Sequence, residues 1–140
     1  MKILVAVDGS EISTRALKFA LKLGKQLGDS TQLTIATVDP PLFPGAERKL
    51  GETAVRRYHD DNFAHMLGPA RKLVKRAAFD VSEVTLVADI APGLLKIAAK
   101  GRHDLLVMGS HGRGAVKGLV LGSISAKVLA LSPVPVTIVR

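Results

Sequence analysis

Between residues 109 and 123 the chain reads Gly-Ser-His-Gly-Arg-Gly-Ala-Val-Lys-Gly-Leu-Val-Leu-Gly-Ser. Gly109, Gly112 and the pair Gly122-Ser123 stand as glycine, two residues, glycine, nine residues, glycine-serine. Glycine lets a backbone approach a ligand closely and take positive φ. A Gly-Ser pair just ahead of a helix can present backbone N–H groups and a hydroxyl to an anion. Arg113, and Lys117 beyond it, can add charge along a phosphate tail. The chemistry open to such a loop is the cradling of a phosphate chain. Without a ligand the same stretch would be a loose connector.

Two other nucleotide motifs fail on spacing. A P-loop needs Gly-Lys followed by Ser or Thr, and Gly24-Lys25 is followed by Gln26. A dinucleotide fingerprint needs Gly-x-Gly-x-x-Gly after an early strand. Gly112-Arg113-Gly114 reaches its next glycine one residue late, at Gly118. His59, His65, His103 and His111 lack metal-ligand spacing. His111 reads as a loop residue first and a ligand contact second. Asp60-Asp61 belongs to a charged, solvated stretch. No catalytic nucleophile or general base is assigned, and turnover is expected to be slow ATP hydrolysis at most.

The loop needs a scaffold, and the rest of the chain supplies one. Residues 2–7 are a near-continuous apolar run, typical of a strand buried on both faces. Asp8-Gly9-Ser10 breaks it, with Ser10 as N-cap and Gly28 closing the helix that follows. Leu33–Val38 reads as a second strand. Pro44-Gly45 is expected to keep the next stretch irregular. A long helix is expected over 47–78, its apolar stripe including Leu50, Tyr58, Phe63 and Leu67, bent at Gly68-Pro69. A third strand follows at 82–88, a helix from Pro92 to Lys100, a fourth strand at Leu105–Met108, a helix at Leu119–Leu131 and a last strand at Val134–Val139. Pro135 marks that last strand as an edge. Strands alternating with helices imply right-handed crossovers and an open parallel sheet covered on both faces. In such sheets ligands bind beyond the carboxyl ends of the strands, at a switch point. That directs attention to the loops after the first, second and fourth strands.

The 140 residues suit one domain, residues 1–140, and 47% apolar composition is enough for a core. No cysteine is present, which removes thiol chemistry and disulfides. The first apolar run ends at Asp8, too early for a signal peptide, and no stretch approaches a membrane span. A cytoplasmic location is expected. The net charge is +8. Residues 47–79 carry eight basic and four acidic side chains, and residues 96–127 carry six and one. Such a surface favours anionic partners, or simply keeps the protein solvated.

The glycine spacing, set in Val107-Met108-Gly109-Ser110-His111-Gly112-Arg113, resembles the ATP-binding signature of the universal stress protein family. Lys2 to Ser10 resembles that family's opening strand and turn, and Pro133-Val134-Pro135-Val136 its closing strand, so the likeness covers the whole chain. Many relatives carry glycine near Ala88, and the strong basic charge is unusual among them. The resemblance implies a Rossmann-like fold of the adenine nucleotide alpha hydrolase type, five parallel strands in the order 3-2-1-4-5. It implies that Ala6 and Val7 flank adenine and that Thr37 contacts the base through its backbone. Asp8 would lie by the ribose, the phosphates or a nucleotide-bound Mg²⁺. Met108, Gly109, Gly112, Arg113, Gly122 and Ser123 would form the ribose and phosphate loop, with Ile124 and Ser125 at the helix start. It implies a homodimer through Val134–Val139 and a nucleotide-dependent role in the stress response, in concert with a protein partner. The rival readings are a slow ATPase and a nucleotide-independent interaction protein using Arg56, Arg57, Arg71, Lys72, Lys75 and Arg76. With four Phe, one Tyr and no Trp, stacking platforms are few, and nucleic acid is not an expected partner. Neither is a membrane.

Overall fold

In a computed structural model the described residues are 1–28, 30–77, 80–112 and 121–140. The elements are β1 (Lys2–Ala6), α1 (Glu11–Leu27), β2 (Gln32–Asp39), α2 (Pro44–Leu50), α3 (Glu52–Val74), β3 (Val81–Val87), α4 (Ile90–Lys100), β4 (Leu105–Gly109), α5 (Ser123–Leu131) and β5 (Val136–Val139). The five strands form one parallel sheet in the order β3-β2-β1-β4-β5, as expected.

Alternation along β1 explains its continuous apolar run. Ile3, Val5 and Val7 pack with Leu17, Ala20, Leu33, Ile35 and Leu67, on the face covered by α1 and α3. Leu4 packs with Val38, Leu94, Ala98, Leu106 and Val128, on the face covered by α4 and α5. Ile3, Leu4, Leu17 and Leu106 are fully buried, and each such side chain contributes about 1.5–3 kcal/mol of transfer free energy. Ser10 caps α1 as expected, its Oγ accepting from Ser13 N at 3.1 Å. Gly9 (φ 81°) turns the chain between β1 and α1, where a Cβ would stand 3.2 Å from Met66 Cα.

The stretch expected as one helix over 47–78 is two. Gly51 (φ 77°) ends α2 and opens α3. Pro44 does not keep its surroundings irregular; it occupies the first turn of α2, where its missing N–H is not needed. Pro69 lies inside α3 without ending it. The break shifts the apolar stripe. Counted through Gly51 from Leu50 it lands on Tyr58, yet Tyr58 is exposed and His59 is buried, together with Met66, Leu67 and Ala70. At the other end β5 begins at Val136, after Pro135, and pairs with β4 alone. Leu119 and Val120, expected to open the last helix, lie outside the described residues, and α5 starts at Ser123.

Candidate functional site

A cleft of about 470 Å³ opens above the carboxyl end of β1, between β2 and β4. This is where the strand order reverses direction along the chain, the expected place for a ligand. On the α4 side its walls are apolar: Ala6, Ala36, Val38, Ile90, Leu94, Met108 and Ile124. Its polar half holds Asp8, Ser13, His111, Ser123 and Ser125, with Gly109, Gly112 and Gly122 along the rim. Asp39, Pro40 and Met66 close the α3 side.

Backbone bonds hold the rim shut at its base. Ser110 N donates to Val139 O at 2.7 Å, and Gly122 N donates to Ser110 O at 2.7 Å. Ser125 Oγ donates to Gly109 O at 2.9 Å, tying α5 to β4. The glycines sit where a side chain would be crowded. A Cβ on Gly109 would press on Ile12 Cγ2, one on Gly112 would fall 2.8 Å from Asp8 Oδ2, and one on Gly122 3.1 Å from His111 Cα. Gly122 is the N-cap of α5 and offers no side chain to it. The first N–H groups of that helix, at Ser123, Ile124 and Ser125, therefore open toward the cleft, where the helix dipole favours an anion. Asp8 does two jobs. Its Oδ1 accepts from Ser10 N at 2.9 Å in the turn, while the residue also lines the cleft.

Of the residues singled out in the sequence, Ala6, Val7, Asp8, Met108, Gly109, Gly112, Gly122, Ser123, Ile124 and Ser125 all border this one cleft. Arg113 and Lys117 lie outside the described residues. Thr37 is placed differently from the expectation. It is fully buried, and its Oγ1 donates to Val7 O at 3.0 Å. In a parallel ladder, main-chain groups of alternate residues face alternate neighbours. Ala36 O accepts from Val7 N in β1's line, and Asp39 O accepts from Ala88 N beyond β3. The main chain of Thr37 therefore faces β3, and that of Val38 faces the line of β1. Register pairing with β1 stops at Ala6↔Ala36, so Val38 carries its N–H and C=O past the end of that strand, and it lines the cleft.

His111, read from sequence as a loop residue first and a ligand contact second, borders the cleft, with its Nδ1 3.0 Å from Ser110 Oγ. One feature was not singled out from sequence. Behind the cleft wall, His59 Nδ1 lies 2.6 Å from Asp39 Oδ2, and Asn62 Nδ2 donates to the same oxygen at 2.9 Å. Both side chains of the His59–Asp39 pair are 7% exposed, and His59 Nε2 is buried without a hydrogen-bond partner among the described residues. The spacing of His59, Asn62 and Met66 on one helical face was the available signal, hidden by the misplaced stripe.

Comparison with known proteins agrees along the full length. The model of the Universal stress protein family matches residues 1–140. Universal stress protein YxiE of Bacillus subtilis is 32% identical, covering 99% of this chain and 98% of its own. Among solved structures, the universal stress protein UspA of Lactobacillus plantarum superposes with a TM-score of 0.83 over 100% of this chain and 97% of its own, at 20% identity, which speaks to fold alone. A universal stress protein in complex with cAMP superposes with a TM-score of 0.72 at 28% identity, covering 100% and 97%.

Proposed function

The chain belongs to the universal stress protein family, and from that premise we propose that its cleft binds ATP and that the protein acts as a nucleotide-dependent regulatory module of the stress response. The observation that carries this reading is the steric one. Three rim glycines stand where a Cβ would crowd Ile12, Asp8 or His111, directly beside an apolar half large enough for a purine. A related protein of the family is described in complex with cAMP, an adenine nucleotide.

The base lies between Val38, Leu94, Met108 and Ile124. The N–H and C=O of Val38 meet its polar edge, in place of Thr37. The phosphates run along Gly112 and Gly122 to the first turn of α5, and Arg113 adds charge from the loop. Mg²⁺ fits only as a companion of the phosphates. Among the described residues no three His, Asp or Glu side chains converge to hold an ion, so Asp8 would be its protein contact. Such an ion would neutralise phosphate charge. The cytoplasm, where ATP is held, is the compartment this function requires.

A homodimer through β5 completes the reading. Val136–Val139 is half-exposed along an edge with a free ladder side, and pairing with a second copy would cover it. Bound nucleotide would then bias the readiness of the dimer to meet a protein partner.

Mass spectrometry of small molecules released by denaturing freshly purified protein tests the reading, repeated on Gly122→Val. Adenine nucleotide from the wild type and none from the variant is the expected result. If neither releases nucleotide, and calorimetry of stripped wild type with ATP shows no heat of binding, the proposal fails.

A further inference from the structure

In a parallel sheet with crossover helices, every helix following a strand runs back and ends at the amino edge of the sheet. Here the returns are tied together at that edge. Gln32 N donates to Met1 O, Leu33 N to Asp80 O, and Asp104 N to Lys2 O. The charges that the helix ends bring there are cationic. α1 brings Lys22 and Lys25 in its last turns, α3 and its end bring Lys72, Lys75 and Arg76, and α4 and its end bring Lys100 and Arg102. β1 starts with Lys2. All eight are exposed, and none pairs with a carboxylate among the described residues. Against them, among the described residues, stand Asp80 and Asp104, the latter occupied by Lys2 N at 2.7 Å.

Helix dipoles explain part of this but not all. A helix C-terminus carries about half a negative charge, so the ends of α1, α3, α4 and α5 together offset about two of the eight cations. Two further details point the same way. Arg102 takes a left-handed backbone conformation (φ 52°) just after α4, where glycine would be about 1 kcal/mol less strained. A groove of about 450 Å³ runs along this edge between Lys2 and Lys100, floored by Thr34 and Ser82, whose hydroxyls share a 3.0 Å hydrogen bond. Asp80 is on its wall as well.

We propose that this amino edge, the end opposite the cleft, is a docking face for the phosphate backbone of double-stranded nucleic acid, read without regard to sequence. A domain pI near 10.1, with eight of its twenty Lys and Arg at this edge, fits this partner. Lysines serve phosphates as point charges, and Ser and Thr hydroxyls are ordinary phosphate contacts. Of the exposed aromatic side chains among the described residues, Phe43 precedes α2 and Tyr58 lies in the first half of α3, away from this edge, while Phe19 stands one turn before Lys22 on α1. The structure also divides the basic stretch of the sequence. Arg56 and Arg57 sit near the start of α3, more than three turns from Lys72, and do not belong to this face.

The test uses fluorescence anisotropy of the full chain with a labelled mixed-sequence DNA duplex of two helical turns. Three triple variants remove equal charge: Lys72→Gln/Lys75→Gln/Arg76→Gln and Lys2→Gln/Lys100→Gln/Arg102→Gln at the face, and Arg48→Gln/Lys49→Gln/Arg56→Gln away from it. Circular dichroism and ATP binding check that each remains folded. With about four phosphates engaged, wild-type affinity should fall about 100-fold between 50 and 200 mM salt. Each face triple should weaken binding at least about tenfold at 50 mM salt and flatten the salt slope by 1–3, while the remote triple changes affinity less than about threefold. A second duplex of unrelated sequence should bind equally. Absence of duplex binding at 50 mM salt would overturn the proposal, as would equal losses in the remote and face triples. Binding to phosphatidylglycerol-containing vesicles without binding to duplex would reassign the face to a membrane.

Discussion

The two edges of the sheet are made by the same elements and serve chemistry differently. The carboxyl edge receives helix N-termini and is shaped. Its loops are pinned by 2.7 Å backbone bonds, its glycines sit where a side chain would be crowded, and its polar pair Asp39–His59 is buried. The amino edge receives helix C-termini and is charged but little shaped. Its charged side chains are exposed, although Thr31 and His103 are buried beside them, and the ion pair Arg71–Glu83 between α3 and β3, at 2.8 Å, lies at the surface. Recognition at the first edge depends on contact geometry, and at the second on summed charge. Substitutions at the first should therefore be severe singly, and at the second only in sets.

The largest effect is expected at Gly122. Valine there would force its Cβ against His111 Cα and Cβ, at 3.1 and 3.2 Å in the present backbone, and press on Ser110 O, to which Gly122 N donates. Opening that pinch displaces the start of α5, and ATP affinity should fall by about 1000-fold or about 4 kcal/mol. Calorimetry on nucleotide-stripped protein measures it. A loss under tenfold would mean that the rim is not the phosphate site.

His59→Leu ranks next and acts on stability. It leaves the buried Asp39 carboxylate with Asn62 as its remaining side-chain donor, a loss of about 2–3 kcal/mol in urea unfolding. A drop below about 1 kcal/mol would mean that water replaces the imidazole and that the cleft wall is less dry than its 7% exposure indicates. Ser10→Ala follows at about 1 kcal/mol, because the α1 cap loses its 3.1 Å bond to Ser13 N.

How far the sequence reached depends on whether a signal was local. Ser10, Gly28 and the edge position of β5 were legible because caps and prolines act within a few residues. The rim glycines were legible because their spacing is fixed by one loop. The α2–α3 break was missed because Gly51 is a single residue inside a stripe that continues across it, and with the break went His59. The facing of Val38 rather than Thr37 toward the cleft depends on which residue of β2 pairs with Val7, a relation between strands 30 residues apart that composition does not carry. The cationic edge was half legible. The sequence shows the excess of Lys and Arg, but only the common direction of three helices gathers it.

The smallest effect sharpens the contrast best. Arg71 holds Glu83 through Nε and a second nitrogen, at 2.8–3.1 Å, and at first sight matches His59–Asp39 at the other edge. Its guanidinium pKa is raised, chiefly by the hydrogen bond to Glu83, with desolvation opposing and the charge of that carboxylate adding the smallest share. A raised pKa contributes stability that is complete below the ordinary guanidinium range and is lost only as pH climbs past it. Arg71 should therefore give stability no slope near neutral pH. Solvent screens the pair, whose side chains are 49% and 34% exposed. Arg71→Ala should cost only about 0.5 kcal/mol, read as a urea midpoint shift that shrinks in high salt. A loss of about 2 kcal/mol or more would give the amino edge the same dependence on single contacts as the cleft, and the division between a shaped edge and a charged one would not hold.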